Sequence, residues 1–122
     1  MDNLASGDTL NGKVRIRVQD EVVIISFLED LVSESIDEFS TLLNSIIRQG
    51  KYKIILDFSQ IVYMCSFALG IMIHTLKKVR ERGGDLKISG LSEWLRSLIK
   101  VARIDEIVKI YNSAEEALES FK

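Results

Sequence analysis

The sequence predicts an α/β fold: a small mixed, mostly parallel sheet packed with helices, in the order β-β-α-β-α-β-α-β-α. Three observations predict it. One segment alternates apolar and polar residues, several short runs are continuously apolar and β-branched, and segments of helical period separate those runs. Strands joined through helices should run parallel with right-handed crossovers.

Residues 1–12 are polar, contain glycine and show no periodicity, so they read as a flexible leader, and a single domain is expected over 13–122. Val14, Ile16 and Val18 alternate with Arg15, Arg17 and Gln19, the period of a strand with one buried face at or near the sheet edge. Asp20-Glu21 turns the chain into Val22–Leu28, a run that suits a strand covered on both faces, and the two strands read as a hairpin. From Ser35 the period becomes helical through Phe39, Leu42, Leu43 and Ile46, with Ser35 and Glu38 spaced as a capping box and Gly50 as the stop.

Tyr52–Phe58 is a second buried strand. A largely apolar helix follows Met64-Cys65-Ser66 and runs to Arg82, where Gly83-Gly84 breaks it. Leu86–Ile88 is a short strand, Ser92 caps a helix carrying Leu95, Leu98, Ile99 and Ala102, and Ile107–Tyr111 is the last strand. Ser113 with Glu116 opens a terminal helix bearing Ala117, Leu118 and Phe121.

At 122 residues and 47% hydrophobic content the chain can bury a continuous core without staples. The net charge of -2, with both signs dispersed, provides no basic stripe for a nucleic-acid backbone, so no direct nucleic-acid partner is expected. The first residues lack the pattern of a signal peptide, and no apolar run approaches the ~18 residues of a membrane span. No membrane insertion is expected. With a single cysteine, Cys65, an internal disulfide is excluded and a reducing, cytoplasmic setting is expected.

The search for catalytic groups yields little. Gly83-Gly84-Asp85 follows a helix and precedes a strand, the reverse of a nucleotide-binding loop. His74 is the only histidine, about two helical turns beyond Ser66, which disfavours a triad and leaves no companion ligand for a metal. The pairs Glu29-Asp30, Asp105-Glu106 and Glu115-Glu116 fall at element ends, where carboxylates favour helix N-termini and solvated turns. No cofactor is called for, and the chain reads as a non-enzymatic binding module.

The segment Ile54–Leu76 is more informative. Asp57 ends a buried strand and is expected to bond nearby backbone amides. Ser66 sits at a helix start, where its hydroxyl can cap a free amide, worth about 1 kcal/mol, or accept a phosphate stabilised by the exposed amides and the helix dipole. Leu69, Met72, Ile73, Leu76 and Val79 form one apolar stripe, while Phe67 and Ile71 lie off it beside His74 and Lys78. That second face is either packed under a neighbour or a contact patch for a partner protein. Trp94 poses the same choice, core or interface anchor, with core packing the expected answer.

The stretch Asp57-Phe58-Ser59-Gln60-Ile61-Val62-Tyr63-Met64-Cys65-Ser66-Phe67-Ala68-Leu69-Gly70 resembles the central motif of STAS domains, an aspartate-led strand, a Met-Asp-Ser-Ser-Gly-Leu-Gly loop and a helix. Lys77–Leu86 and Ser92–Ile110 extend the resemblance, which covers about residues 13 to 121. It implies an anti-sigma-factor antagonist working by partner switching. Ser66 takes the place of the serine phosphorylated by an anti-sigma factor of the serine-kinase ATPase type, and a serine phosphatase resets it. With the off-stripe face of the helix after Ser66 counted in, the residues expected to bind the partner are Cys65, Ser66, Phe67, Ile71 and His74. Cys65 replaces the usual acidic residue, Phe67 the second serine and Ala68 the first glycine. The stretch Glu29-Asp30-Leu31-Val32 lacks the glycine and final aspartate of the family's Gly-x-Leu/Ile-Asp segment. The alternative reading is a STAS accessory subunit of a membrane transport system, or a signalling scaffold, that binds constitutively without phosphorylation.

Overall fold

The computed structural model describes residues 8–10 and 12–122. Six strands form one sheet in sequential order: β1 (Asp8–Leu10), β2 (Val14–Gln19), β3 (Val22–Phe27), β4 (Lys53–Asp57), β5 (Asp85–Ser89) and β6 (Lys109–Tyr111). The first two pairings are antiparallel and the other three parallel, so the mixed, mostly parallel sheet read from the sequence is the observed one. Its one addition is β1, which pairs Asp8 with Ile16 and Leu10 with Val14 inside the stretch read as a leader; the rest of that expectation, residues 1–7 and 11, lies outside the described residues. A three-residue edge strand is too short to show periodicity.

The β2–β3 hairpin turns at Asp20 and Glu21, both in the left-handed region with φ of 53° and 69°, as a tight two-residue turn between right-twisted strands requires. Along β3, β4 and β5 successive side chains face opposite ways, which explains the uninterrupted apolar runs. Val23, Ile25, Phe27, Ile54, Leu56, Leu86 and Ile88 join the core beneath α1 (Ile36–Arg48), α2 (Ser66–Glu81) and α3 (Glu93–Val101). Val22, Ile24 and Ile55 pack instead on Ala114, Ala117 and Leu118 of α4 (Ala114–Glu119). Three helices therefore cover one face and the short α4 the other.

Lys87 of β5 faces α4 and is buried. Its ammonium donates to Ser120 Oγ at 2.6 Å and lies 3.9 Å from the Phe121 ring centroid, so a hydroxyl and a ring face replace the water a lysine normally keeps.

Helix capping departs from expectation at one end and holds at others. Ser35 does not cap α1: its hydroxyl accepts from the Val32 amide at 3.3 Å and donates to the Val32 carbonyl at 3.1 Å, closing a 3-10 turn over Ser33–Ser35. Glu38 is drawn away to Lys13, 2.8 Å distant, and this hydrogen bond and charge hold the lysine pKa above its usual value. Ser92 caps α3 by accepting from the Leu95 amide at 3.2 Å. Ser113 caps α4 through the Glu116 amide at 3.1 Å, while the Glu116 carboxylate accepts from Asn112, one residue before the position of a capping box.

Gly84 marks a close approach. A Cβ there would fall 1.9 Å from the Tyr52 carbonyl oxygen, which accepts the Asp85 amide at 3.0 Å and so fixes the entry of β5 beside β4. Beyond α3, Arg103 is left-handed with φ of 60° and leads into a 3-10 turn over Ile104–Glu106. This turn takes up Ile107, so the last strand is the shorter Lys109–Tyr111.

Candidate functional site

Because β3 to β6 are parallel and follow one another across the sheet, their C-terminal ends and the N-termini of α1, α2 and α3 share one edge, where ligands of open α/β sheets bind. Ser66 stands on this edge. It is exposed, as a modification site must be. The cap position expected for it belongs to Cys65, with extended backbone (φ -77°, ψ 162°), and Ser66 is the first helical residue. Cys65 makes no capping bond through its side chain, so no side chain at the cap position takes up the first-turn amides of α2.

The loop before Ser66 is held from three sides. Leu31 and Met64 form an isolated parallel bridge in which the Leu31 amide donates to the Tyr63 carbonyl at 3.2 Å and the Cys65 amide to the Leu31 carbonyl at 2.8 Å. One carboxylate oxygen of Asp30, Oδ1, accepts from the amides of Val62 at 3.0 Å and Tyr63 at 3.3 Å. At the strand end, Asp57 accepts from the Ser26 hydroxyl at 3.0 Å, the Ser59 amide at 3.1 Å and the Ser89 hydroxyl at 3.5 Å. The amide bond expected of Asp57 is present, and the two hydroxyl contacts tie β3 and β5 to the same carboxylate. Gly90 leaves room for it: with φ of +74°, a Cβ there would come within 3.0 Å of Asp57 Oδ1 and 2.8 Å of Ser59 Cβ.

The five residues read as a partner surface divide. Ser66, Phe67, Ile71 and His74 line one groove of about 320 Å³ with Gly70 and Thr75, against Ser40 and Asn44 of α1. Phe67 is 68% exposed, His74 is exposed and Ile71 half-buried, so their face is an open groove and not a packed seam. Cys65 departs from expectation: it is a buried free thiol at 7% exposure, enclosed by the Leu31–Met64 bridge, and offers a partner no surface.

The core stripe of α2 also differs. Ala68, Met72, Thr75, Leu76 and Val79 are buried, whereas Leu69 and Ile73 are only partly so. Thr75 tolerates burial because its hydroxyl donates to the Ile71 carbonyl at 2.8 Å. Trp94 is no core residue: it is 49% exposed, its ring 5.4 Å from that of Tyr63. On α3, Leu95 and Ile99 are buried while Ala102 is exposed.

Sequence reasoning missed Asp30 and Leu31 as supports of the loop, since both act on residues more than thirty positions away. Among the described residues no group of three or more His, Cys, Asp or Glu side chains is placed to hold a metal, and no helix is long and apolar enough to cross a membrane.

The STAS domain profile matches residues 13–117. The chain belongs to the STAS domain family. A candidate anti-sigma factor antagonist of Thermotoga neapolitana is 30% identical over 104 residues, spanning 84% of this chain and 92% of that protein. The crystal structure of a candidate anti-sigma factor antagonist from Thermotoga maritima superimposes with a TM-score of 0.83 at 28% identity, over 88% of this chain and 92% of the other. The Bacillus cell-fate determinant SpoIIAA in its phosphorylated form shares the fold, with a TM-score of 0.71 at 18% identity over 89% of this chain and 99% of that one. The STAS resemblance read from the Asp57–Gly70 segment is thus correct, and the two Thermotoga relatives are candidate anti-sigma factor antagonists.

Proposed function

We propose that this chain is a cytoplasmic, single-domain antagonist of an anti-sigma factor, a regulatory binding module without catalysis of its own. It acts by partner switching, with Ser66 as the phosphate acceptor. In this reading the unphosphorylated form binds an anti-sigma factor of the serine-kinase ATPase type and releases its sigma factor. Phosphorylation dissociates the pair, and a serine phosphatase restores it.

The observation that carries this reading is the placement of Ser66: exposed, first in α2, next to an exposed Phe67 and on a loop fixed by Asp30, Leu31 and Asp57. A phosphate there meets first-turn amides and the positive end of a 16-residue helix, so the domain can carry it without unfolding. The same phosphate adds roughly -1.5 to -2 charges. Beside the exposed Phe67, it would have to be desolvated on docking, which disfavours the complex. The ATP is the partner's, and nothing in the proposed cycle requires a cofactor bound by this chain.

The test combines the protein with the histidine-kinase-like anti-sigma ATPases of its source genome and Mg-ATP, and measures intact mass for wild type and Ser66→Ala. Wild type should gain one phosphoryl group and Ser66→Ala none, and the phosphorylated protein should no longer co-elute with the ATPase. A stable complex that never transfers phosphate would eliminate the switch and leave constitutive binding.

A further inference from the structure

Among the described residues six large apolar side chains are exposed: Val62 at 64%, Tyr63 at 42%, Phe67 at 68%, Trp94 at 49%, Val101 at 82% and Ile107 at 44%. The first four lie on the edge that carries Ser66, in the loop before α2, the first turn of α2 and the first turn of α3; the other two lie beyond the C-terminal end of α3 or at it. Exposed apolar groups scattered singly need no explanation, but four on one edge mark a contact surface.

Within this set Tyr63 and Trp94 form a unit. Their ring centroids are 5.4 Å apart at an interplanar angle of 33°. Each is presented by fixed backbone: the Tyr63 amide and carbonyl are held by Asp30 Oδ1 and the Leu31 amide, and Trp94 is the second residue of a helix capped by Ser92. Rigid aromatic side chains that are already ordered lose little entropy on binding, which is the condition for an anchor.

The Ser66 edge also carries a set of exposed acidic side chains, Glu29 and Glu34 from the β3–α1 connection and Glu93 beside Trp94. Of its cations, Lys13 is engaged by Glu38, Arg15 lies on the opposite face of the sheet from Val14 and Ile16, and Arg96, two residues beyond Trp94, lies about 200° round the helix. The opposite edge mixes both signs: Arg48, Lys51, Arg82 and Arg103 stand at or just past the C-terminal ends of α1, α2 and α3, together with the exposed Asp20, Glu21, Glu81, Asp105 and Glu106.

We propose that Trp94, braced by Tyr63, anchors this chain in an apolar recess of its anti-sigma factor, and that lysine and arginine side chains rim that recess and face Glu29, Glu34 and Glu93. The inference rests on the partner-switching reading and adds to it a second contact, on the α3 side of Ser66, that does not itself receive the phosphate. Docking then has two parts. The Phe67 side senses the state of Ser66, and the Trp94 side sets orientation and supplies much of the affinity.

Trp94 is the only tryptophan, so fluorotryptophan labelling gives a single fluorine NMR resonance that reports on this position. The full-length, unphosphorylated chain is titrated with the same anti-sigma ATPases. The Trp94 resonance should shift on binding, and Trp94→Ala should weaken the complex by at least about 30-fold, the size of an anchor residue. Glu29→Lys with Glu93→Lys should slow association about tenfold and reduce its dependence on salt, as for rim charges. Val101→Ala, at the other end of α3, should leave affinity unchanged. A complex that forms with full affinity in Trp94→Ala overturns this proposal and leaves partner switching intact. No complex with the wild-type chain overturns both. A Trp94 shift that appears on concentrating the protein alone, without the ATPase, overturns it in favour of self-association.

Discussion

Replacing Asp30 by alanine removes the single carboxylate oxygen that accepts the Val62 and Tyr63 amides, at 3.0 and 3.3 Å. Hydrogen bonds to a charged group contribute about 1.5–3 kcal/mol each, but these are exposed and the second is long, so together they should contribute about 2 kcal/mol. The loss should lower the urea midpoint by about 1 M at an m-value of about 2 kcal/mol/M. Locally it should speed hydrogen exchange at the two amides about 30-fold, since each 1.36 kcal/mol is a factor of ten. Asp30→Asn is the informative companion. Both amides use the same oxygen, so an asparagine carbonyl can replace it, and about half the loss should be recovered. Unchanged exchange at Val62 and Tyr63 in Asp30→Ala would refute the assignment, and an asparagine as damaging as alanine would show that the negative charge, not the acceptor alone, holds the loop.

Gly84→Ala should be among the most damaging single-atom additions, at about 3 kcal/mol or more by chemical denaturation, because its Cβ would meet the Tyr52 carbonyl oxygen at 1.9 Å and only backbone movement relieves that contact. The same change at Gly70, where a Cβ meets nothing within 4 Å, should be neutral or slightly stabilising, about 0.5–1 kcal/mol, as expected in a helix interior. Lys87→Met keeps the apolar stem against α4 and removes a buried ammonium whose partners are a hydroxyl and two rings, so stability should change by less than about 1 kcal/mol in either direction. A loss above about 2 kcal/mol in thermal melts would show that the cation–ring contacts contribute more than desolvation of the charge removes.

The fold was legible where a side-chain period runs long enough to be counted. Val22–Phe27 and Lys53–Asp57 read as buried strands because both sheet faces are covered, and Ile36–Arg48 read as a helix because Phe39, Leu43 and Ile46 recur on one side. Ends were less legible, because capping depends on competition. Ser35 had two backbone partners to choose from and Glu38 had Lys13, a residue 25 positions away. The groove face of Phe67 and Ile71 could be seen from helical spacing, but whether another element covers it is a tertiary fact. Trp94 misled because aromatic bulk argues for burial, whereas its position in the first turn of α3 places it at the sheet edge beside Tyr63. Cys65 misled in the other direction: a residue next to an exposed serine becomes buried once Leu31 pairs with Met64.

These departures describe one device. Asp30 through its carboxylate and Leu31 through its backbone, both in the β3–α1 connection, hold a loop whose sequence is mostly apolar. Ile61, Met64 and Cys65 are buried, while Val62, Tyr63, Ser66 and Phe67 remain outside. A loop so fixed can present apolar groups at little ordering cost, and in the proposed switch it would keep Ser66 in place on phosphorylation. The two requirements of the proposed switch, a surface worth binding and a residue whose modification spoils that surface without unfolding it, would be met within six residues of chain, 62 to 67. The cysteine where the family has an acidic residue fits the same logic. A buried thiol adds no charge and takes no first-turn amide, so a phosphate on Ser66 would meet those amides without a competing carboxylate at the cap.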